Sequence, residues 1–192
     1  MEFDKPRLHR LPTVECEGLV LRAFEDSDAR AMTAATYESL ATVGRWMDWC
    51  QPGFSEATAL AWFSMCRESL ASGNAHEFGI FSAKGELLGG AGLNAINHEH
   101  RFCNLGYWVK QSAQRQGIAL RTMQTLLPYA FQTLGMQRVE IVVATGNTAS
   151  ESVARKYGAT RECMARNRLQ LHGKAVAATV FSVVPDTGKI AG

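Results

Sequence analysis

The sequence predicts a mixed α/β (α+β) domain built around a sheet, and three observations carry that expectation. Strand-like runs alternate with stretches of helical periodicity in the order βα, α, ββ, βαβ, α, ββ. The run "RVEIVVAT" (138–145) is β-branched and follows a helix that itself follows a strand, so the two strands lie beside one another across that helix. No Gly-, Ser- or Pro-rich linker divides the 192 residues, and 46% hydrophobic against 20% charged residues suffices for a substantial core.

Residues 1–14 read as an N-terminal extension, 15–184 as one domain and 185–192 as a tail. The domain opens with a strand from Leu19 to Ala23. Glu25, Asp26, Ser27 and Asp28 then offer N-caps and first-turn charge for a helix. Ser55 and Glu56 open a second helix, along which Leu60, Phe63, Cys66 and Leu70 recur near helical spacing. The joining segment "GRWMDWCQPGF" is aromatic-rich and broken by "QPG". "HEFGIFSAKGELLGGAGLNAI" reads as two strands around a turn with Lys84 and Gly85, and "RFCNLGYWV" as a third strand after the polar "NHEH".

From Gly117 to about Leu134, the side chains of Leu120, Met123, Leu127, Ala130, Phe131 and Leu134 share one helical face. Pro128 lacks an N–H and clashes with the preceding turn, at about 3 kcal/mol unless the helix bends, so a kink is predicted there. The run 138–145 has the continuous apolar character of a strand buried on both faces. Asn147 caps a short helix carrying Val153, Ala154 and Tyr157, with Gly158 as its left-handed C-terminal cap. Two last runs, 161–171 and 175–184, form a hairpin around His172-Gly173-Lys174.

A net charge of +2 is too small to imply nucleic acid or an anionic membrane as partner. No apolar run resembles a signal peptide or a membrane span. Cys16, Cys50, Cys66, Cys103 and Cys163 are odd in number, scattered and never C-x-x-C, which predicts mostly buried free thiols in a cytoplasmic protein. His98, His100 and Cys103 lack an obvious fourth ligand, so no metal is expected.

The segment "NLGYWVKQSAQRQGIALRTMQTLL" carries the chemistry. A strand leads into a polar loop, and a helix starts near Gly117, where free N–H groups and the macrodipole attract phosphate. Gly117 lets a backbone and a phosphate approach closely, and Gln114 and Arg115 add donors. Neither dinucleotide nor P-loop glycine spacing is present. Asn147 and Ser150, three apart on one helical face, emerge where the neighbouring strand ends.

On these residues the chain resembles the GNAT N-acetyltransferases. Q-R-Q-G-I-A at 114–119 is similar to their acyl-CoA pyrophosphate loop, [RQ]-x-x-G-x-[GA]. "LGYWV", that loop, "LGMQRVEI" and "N-x-x-S-x-x-V-A-x-K-x-G-A" in succession resemble the RimJ/RimL branch, which acetylates N-terminal amines of ribosomal proteins and other amines. The resemblance runs from about Gly18 to about Val184. It implies a central, mostly antiparallel twisted sheet with a splayed parallel strand pair, flanking helices and acetyl-CoA as co-substrate.

The same resemblance assigns Arg115, Gln116, Gly117, Ile118 and Ala119 to the pyrophosphate through their backbone amides. Trp108, Val109 and Lys110 would lie beside the pantetheine arm like an added strand, with a main-chain N–H there polarising the thioester carbonyl. Asn147 would hydrogen-bond the pantetheine. Ser150 would stand near the sulfur and hydrogen-bond or protonate the thiolate. Two positions depart from the family: Ala154 stands where many members carry a tyrosine acid, and Ala177 where RimJ/RimL-like sequences often carry Asp. Ser150, or water, would therefore serve the thiolate.

An amine must lose a proton before attack; an α-amino group, near pKa 7.7–8.0, needs less help than a lysine near 10.4. His76 and Glu77, where RimL-like enzymes place a glutamate, are the candidate bases, and strand alternation lets only one face the cleft. Glu77 is favoured. Trp46 and Trp49 are expected to border the acceptor cleft, whereas Trp62, Trp108 and Tyr107 are expected chiefly to pack. The acceptor is expected to be a protein N-terminus or a small amine, and a homodimer is compatible with the sequence. A non-catalytic acyl-CoA sensor is the rival reading.

Overall fold

The computed structural model describes residues 11–185. In chain order the elements are β1 (Val14–Cys16), β2 (Leu19–Arg22), α1 (Ala29–Glu38), α2 (Glu56–Ala71), β3 (His76–Ser82), β4 (Leu87–Asn97) and β5 (Phe102–Val109). They continue with α3 (Ile118–Pro128), β6 (Arg138–Ala144), α4 (Thr148–Tyr157), β7 (Thr160–Leu171) and β8 (Lys174–Val183). The eight strands form one sheet in the order β1-β2-β3-β4-β5-β6-β8-β7. Every neighbouring pair is antiparallel except β5 and β6.

Alternation along the strands divides the core in two. Phe78, Ile80, Leu93, Leu105, Val139 and Ile141 pack with Met123, Leu126 and Leu127 of α3 and Ala154 of α4. On the other face Phe81, Leu87 and Trp108 pack with Met32 of α1, Phe63 of α2 and the connection between those helices. Phe24 stacks on Phe63 at 4.8 Å between ring centroids and is met edge-on by Trp62.

Several expectations change in detail. β1 lies outside the expected strand set and pairs with β2 through a turn in which Glu17 and Gly18 have φ of 44° and 79°. Leu11, counted with the extension, is buried against the main core. Residues 1–10 and 186–192, the rest of the extension and nearly all of the tail, lie outside the described residues. On α2 the buried stripe is Ala59, Phe63 and Leu70, whereas Leu60 is exposed. Ser55 caps that helix by accepting from the N–H of Thr58.

Strand β6 is not buried on both faces. Val139, Ile141 and Val143 are buried, while Arg138, Glu140 and Val142 are half-exposed on a face where Arg138 pairs with Glu140 and Glu162. The kink expected at Pro128 takes the form of a π-helical turn over Tyr129–Thr133, with the N–H of Leu134 donating to the carbonyl of Tyr129. The chain thus stays helical through Pro128, and the widened turn follows it. Cys50 and Cys103 are buried, Cys16 and Cys66 partly so, and Cys163 is exposed; all five are free.

Candidate active site

The single parallel pair is also incomplete. Only Phe102–Asn104 of β5 pairs with Arg138–Glu140 of β6; β5 then continues to Val109 and β6 to Ala144 without pairing to each other. Two strands that part leave backbone N–H and C=O groups without a ladder partner, and such groups seek a ligand or water. The wedge opens into a cleft of about 760 Å³, within the size range of small-molecule sites.

Trp108, Val109, Gln114, Arg115, Gly117, Ile118 and Ala119 line this cleft from β5 and the start of α3. Asn147 and Ser150 line it from α4, together with Tyr107. Gly117 is the N-cap of α3 at φ 75°, in the left-handed region, and a Cβ there would meet nothing within 4 Å. The first-turn N–H groups of α3 therefore face open space with the helix dipole behind them.

The loop is held from three sides. Ser39 accepts from the N–H of Gln111, and Glu38 accepts from the N–H and hydroxyl of Ser112. Arg121 donates to the carbonyls of Glu17 and Gln116. The side chains of two loop glutamines are engaged inside the loop, which leaves the backbone amide expected of Gln116 unaffected. The side chain of Gln114 donates to the carbonyl of Val109 at 3.0 Å, and that of Gln116 to the carbonyl of Ser112 at 3.2 Å, outside the cleft lining. Lys110 does not line the cleft either: its N–H donates to Leu88 and its ammonium pairs with Glu86 at 2.6 Å.

Asn147 accepts from the N–H of Ser150 at 3.2 Å, so its side-chain carbonyl caps α4 and leaves the NH₂ free to donate. Tyr107 lies 3.1 Å from Ser150 Oγ, hydroxyl to hydroxyl, and burial pushes its phenol above the usual range. Ala154 is fully buried in the core. The position that many family members fill with an acid is thus filled here by packing.

His76 and Glu77 part as alternation requires. His76 is 3% exposed, with Nδ1 3.0 Å from the hydroxyl of Tyr129 beyond α3. Burial and the nearby His98 lower its pKa to about 4, and it does not line the cleft. Glu77 lies on the opposite face and is not itself among the residues lining the cleft. Its register runs to Gly92 of β4 and from there to Gly106 of β5, which lines the cleft.

The Glu77 carboxylate occupies the space where a Cβ on Gly92 would sit, and a Cβ on Gly106 would find its nearest neighbours at 3.9 Å. Gly92 and Gly106 thus add no side chains of their own along a lane from the carboxylate toward the wedge, bordered by the Asn94 and Asn104 amides and one strand spacing or about 5 Å across. Asn94 donates to Glu77 at 3.2 Å, and Asn104 donates in turn to Asn94 at 3.0 Å. Burial raises the Glu77 pKa, and the Asn94 bond partly offsets that rise.

Trp46 lines the cleft, and a Cβ on Gly146 would meet its ring at 3.7 Å. Trp49 instead packs edge-on against Trp108, with centroids 5.1 Å apart. The β7–β8 hairpin closes over this side, the N–H of His172 donating to Asp48 at 2.8 Å. Away from the cleft, His98 donates to the carbonyl of Gly73, and Cys103 is buried in the core.

Tyr107 was expected chiefly to pack, and its bond to Ser150 depends on a contact 43 residues away that no local pattern shows. Asn94 and Asn104 carried no local signal; only the strand register brings them to Glu77.

The acetyltransferase (GNAT) domain family matches residues 18–160. The Bacillus subtilis protein YdaF, provisionally named a ribosomal N-acetyltransferase, is 27% identical over 82% of this chain and 86% of its own length. A provisionally assigned ribosomal-protein-serine acetyltransferase from Vibrio cholerae superposes with a TM-score of 0.81 at 30% identity, covering 90% of this chain and 97% of that one. RimL, a ribosomal L7/L12 α-N-protein acetyltransferase solved in complex with coenzyme A, superposes with a TM-score of 0.81 at 25% identity, covering 89% and 96%. With its parallel pair splayed in an otherwise antiparallel sheet and an anion-receptive helix start beside the wedge, the chain belongs to the GNAT family of N-acetyltransferases.

Proposed function

We propose that the protein moves the acetyl group of acetyl-CoA to a primary amine, and that the amine is a protein N-terminal α-amino group of the ribosomal type. The observation that carries this reading is the Glu77 carboxylate lying over Gly92, in register with Gly106 of the cleft wall. A carboxylate raised above its usual pKa is a competent base, through a water in that lane, for an α-ammonium near 7.7–8.0. A lysine ammonium near 10.4 makes a heavier demand. The two ribosomal-type relatives and RimL support the same acceptor class.

The chain's own groups divide the work. N–H groups from Arg115 to Ala119 at the start of α3 receive the pyrophosphate, each such charge–dipole contact contributing about 0.3–1 kcal/mol. The open edge of β5 at Trp108 and Val109 pairs with the pantetheine amides, and a main-chain N–H there polarises the thioester carbonyl. Asn147 donates to the pantetheine through its free NH₂. Ser150 addresses the sulfur. Glu77 takes the amine proton.

Free-thiol release from acetyl-CoA tests the reading across three acceptor sets: peptides with free N-termini, the same peptides N-terminally blocked but carrying lysine, and small amines. Release with the first set and its loss on blocking is the expected result. Release with small amines alone would replace the protein acceptor by a metabolite. Binding of acetyl-CoA without release in any set would make the protein a sensor.

A further inference from the structure

We infer that Tyr107 is a positioning residue for the leaving group: its phenol donates to Ser150 Oγ and so turns the serine's own proton toward the thioester sulfur. The inference rests on the reading above that Ser150 stands beside that sulfur. It concerns what makes Ser150 effective where Ala154, fully buried, supplies no acid.

The geometry admits this direction, and the role given to Ser150 selects it. The two hydroxyls are 3.1 Å apart, and the other oxygen within reach of the Tyr107 hydroxyl is the Ser150 carbonyl at 3.4 Å, a poorer acceptor within α4. A serine hydroxyl has one proton and two lone pairs. If Ser150 donated to Tyr107, with the phenol proton on the Ser150 carbonyl, nothing would remain for the sulfur; if Tyr107 donates to Ser150 Oγ, the serine proton is left for it. Tyr107 and Ser150 line the cleft from different elements, β5 and α4, so the bond also spans its floor. Burial keeps the phenol protonated, hence a donor, throughout the working range.

The bookkeeping of the step is complete without ionising either hydroxyl. The amine nitrogen forms its bond to the acetyl carbon, the C–S bond breaks, and sulfur leaves with the electron pair. The amine enters the step neutral, having already given its ammonium proton through Glu77 to solvent, and its second proton goes to Glu77 as the C–N bond forms. The thiolate, held by the chain Tyr107 O–H to Ser150 Oγ–H to sulfur, takes its proton from solvent on release. Each hydrogen bond polarises the next, so the chain is stronger than either bond alone.

The test uses Tyr107→Phe, Ser150→Ala and the double variant, with two readouts. The first is the titration of the bound coenzyme A thiol, followed by thiolate absorbance and referenced to the desulfo-coenzyme A complex so that the chain's own cysteines cancel. The expected result is a thiol titrating at lower pH when bound to the wild type, at higher pH in either single variant, and no further shifted in the double variant.

The second readout is acetyl-CoA turnover with the best acceptor of the panel. In an otherwise wild-type chain, Tyr107→Phe lowers kcat about tenfold, the loss of one neutral hydrogen bond, with KM for acetyl-CoA unchanged. In the Ser150→Ala background it lowers kcat no further. A Tyr107→Phe variant with wild-type titration and turnover, while Ser150→Ala loses both, overturns the positioning role and leaves the role of Ser150 intact. Equal losses from Tyr107→Phe in both backgrounds overturn it as well. A Ser150→Ala variant that behaves as wild type overturns the placement of Ser150 and the inference together.

Discussion

Neighbouring residues in one strand reach opposite chemistry in this fold. His76 and Glu77 are adjacent, yet one sits against Tyr129 in the core and the other lies over Gly92 toward the cleft. In the base role proposed for it, Glu77 must be ionised, so activity is expected to fall as pH drops through its raised pKa. Two groups have to lose a proton before attack, the acceptor amine and Glu77, and the lower inflection of kcat/KM against pH belongs to the carboxylate. Asn94→Ala removes the donor that favours the charged form, so that inflection moves to higher pH while the amine's stays in place. Glu77→Gln abolishes the lower inflection and reduces kcat by about 10²–10⁴-fold. A pH–rate series on the three proteins checks both outcomes.

At the level of elements, two helix starts and one parting strand pair make the site. α3 begins on a left-handed Gly117. Gly117→Ala forces a Cβ into that conformation and is expected to cost about 1–2 kcal/mol of stability, measured by denaturant unfolding. The same methyl would stand in the proposed pyrophosphate site, so coenzyme A binding should weaken at least about tenfold by calorimetry, corresponding to about 1.4 kcal/mol. α4 begins on Asn147, which serves its own helix before it serves any ligand. Asn147→Ala is expected to destabilise by about 0.5–2 kcal/mol. It should also weaken coenzyme A binding, which calorimetry on the folded variant reports separately. The π-turn after Pro128 has a role in packing: it carries Tyr129, the partner of His76, beneath the sheet.

The whole molecule inherits a pH sensitivity from that buried pair. His76, lowered from 6.5 to about 4, binds fewer protons folded than unfolded, because burial first and His98 second disfavour its cation. Acid therefore favours the unfolded chain across that window: stability is full above about pH 6.5 and is lost progressively toward pH 4. His76→Gln, which can still bond to Tyr129, should flatten this part of the curve, as thermal melts between pH 7 and 4.5 would show. Acetyl-CoA adds a second linkage, raising stability by about 2.7 kcal/mol at a hundred times its Kd. ATP is expected to leave the midpoint unchanged in the same melts.

Much of this was legible from the sequence because it is local. Helix starts at Ser55, Gly117 and Asn147, the strand order from Leu19 onward, the hairpin at His172-Gly173 and the loop at 114–119 all follow from caps, periodicity and positive-φ residues that act within a few positions. What lay out of reach depends on register. The missing pairs beyond Asn104 open the wedge, Gly92 and Gly106 clear the lane for Glu77, and Asn94 and Asn104 line up beside it through cross-strand partners. The alternating burial of β6 was hidden in the same way, since an apolar run does not say which of its faces a neighbour covers. By itself the sequence determined a mixed α/β chain with an anion-receptive loop and a polar helix start beside it. Only the tertiary structure decided that Tyr107 meets Ser150 and that Glu77 lies over Gly92 while His76 meets Tyr129, because those contacts join segments whose separation along the chain far exceeds any local periodicity.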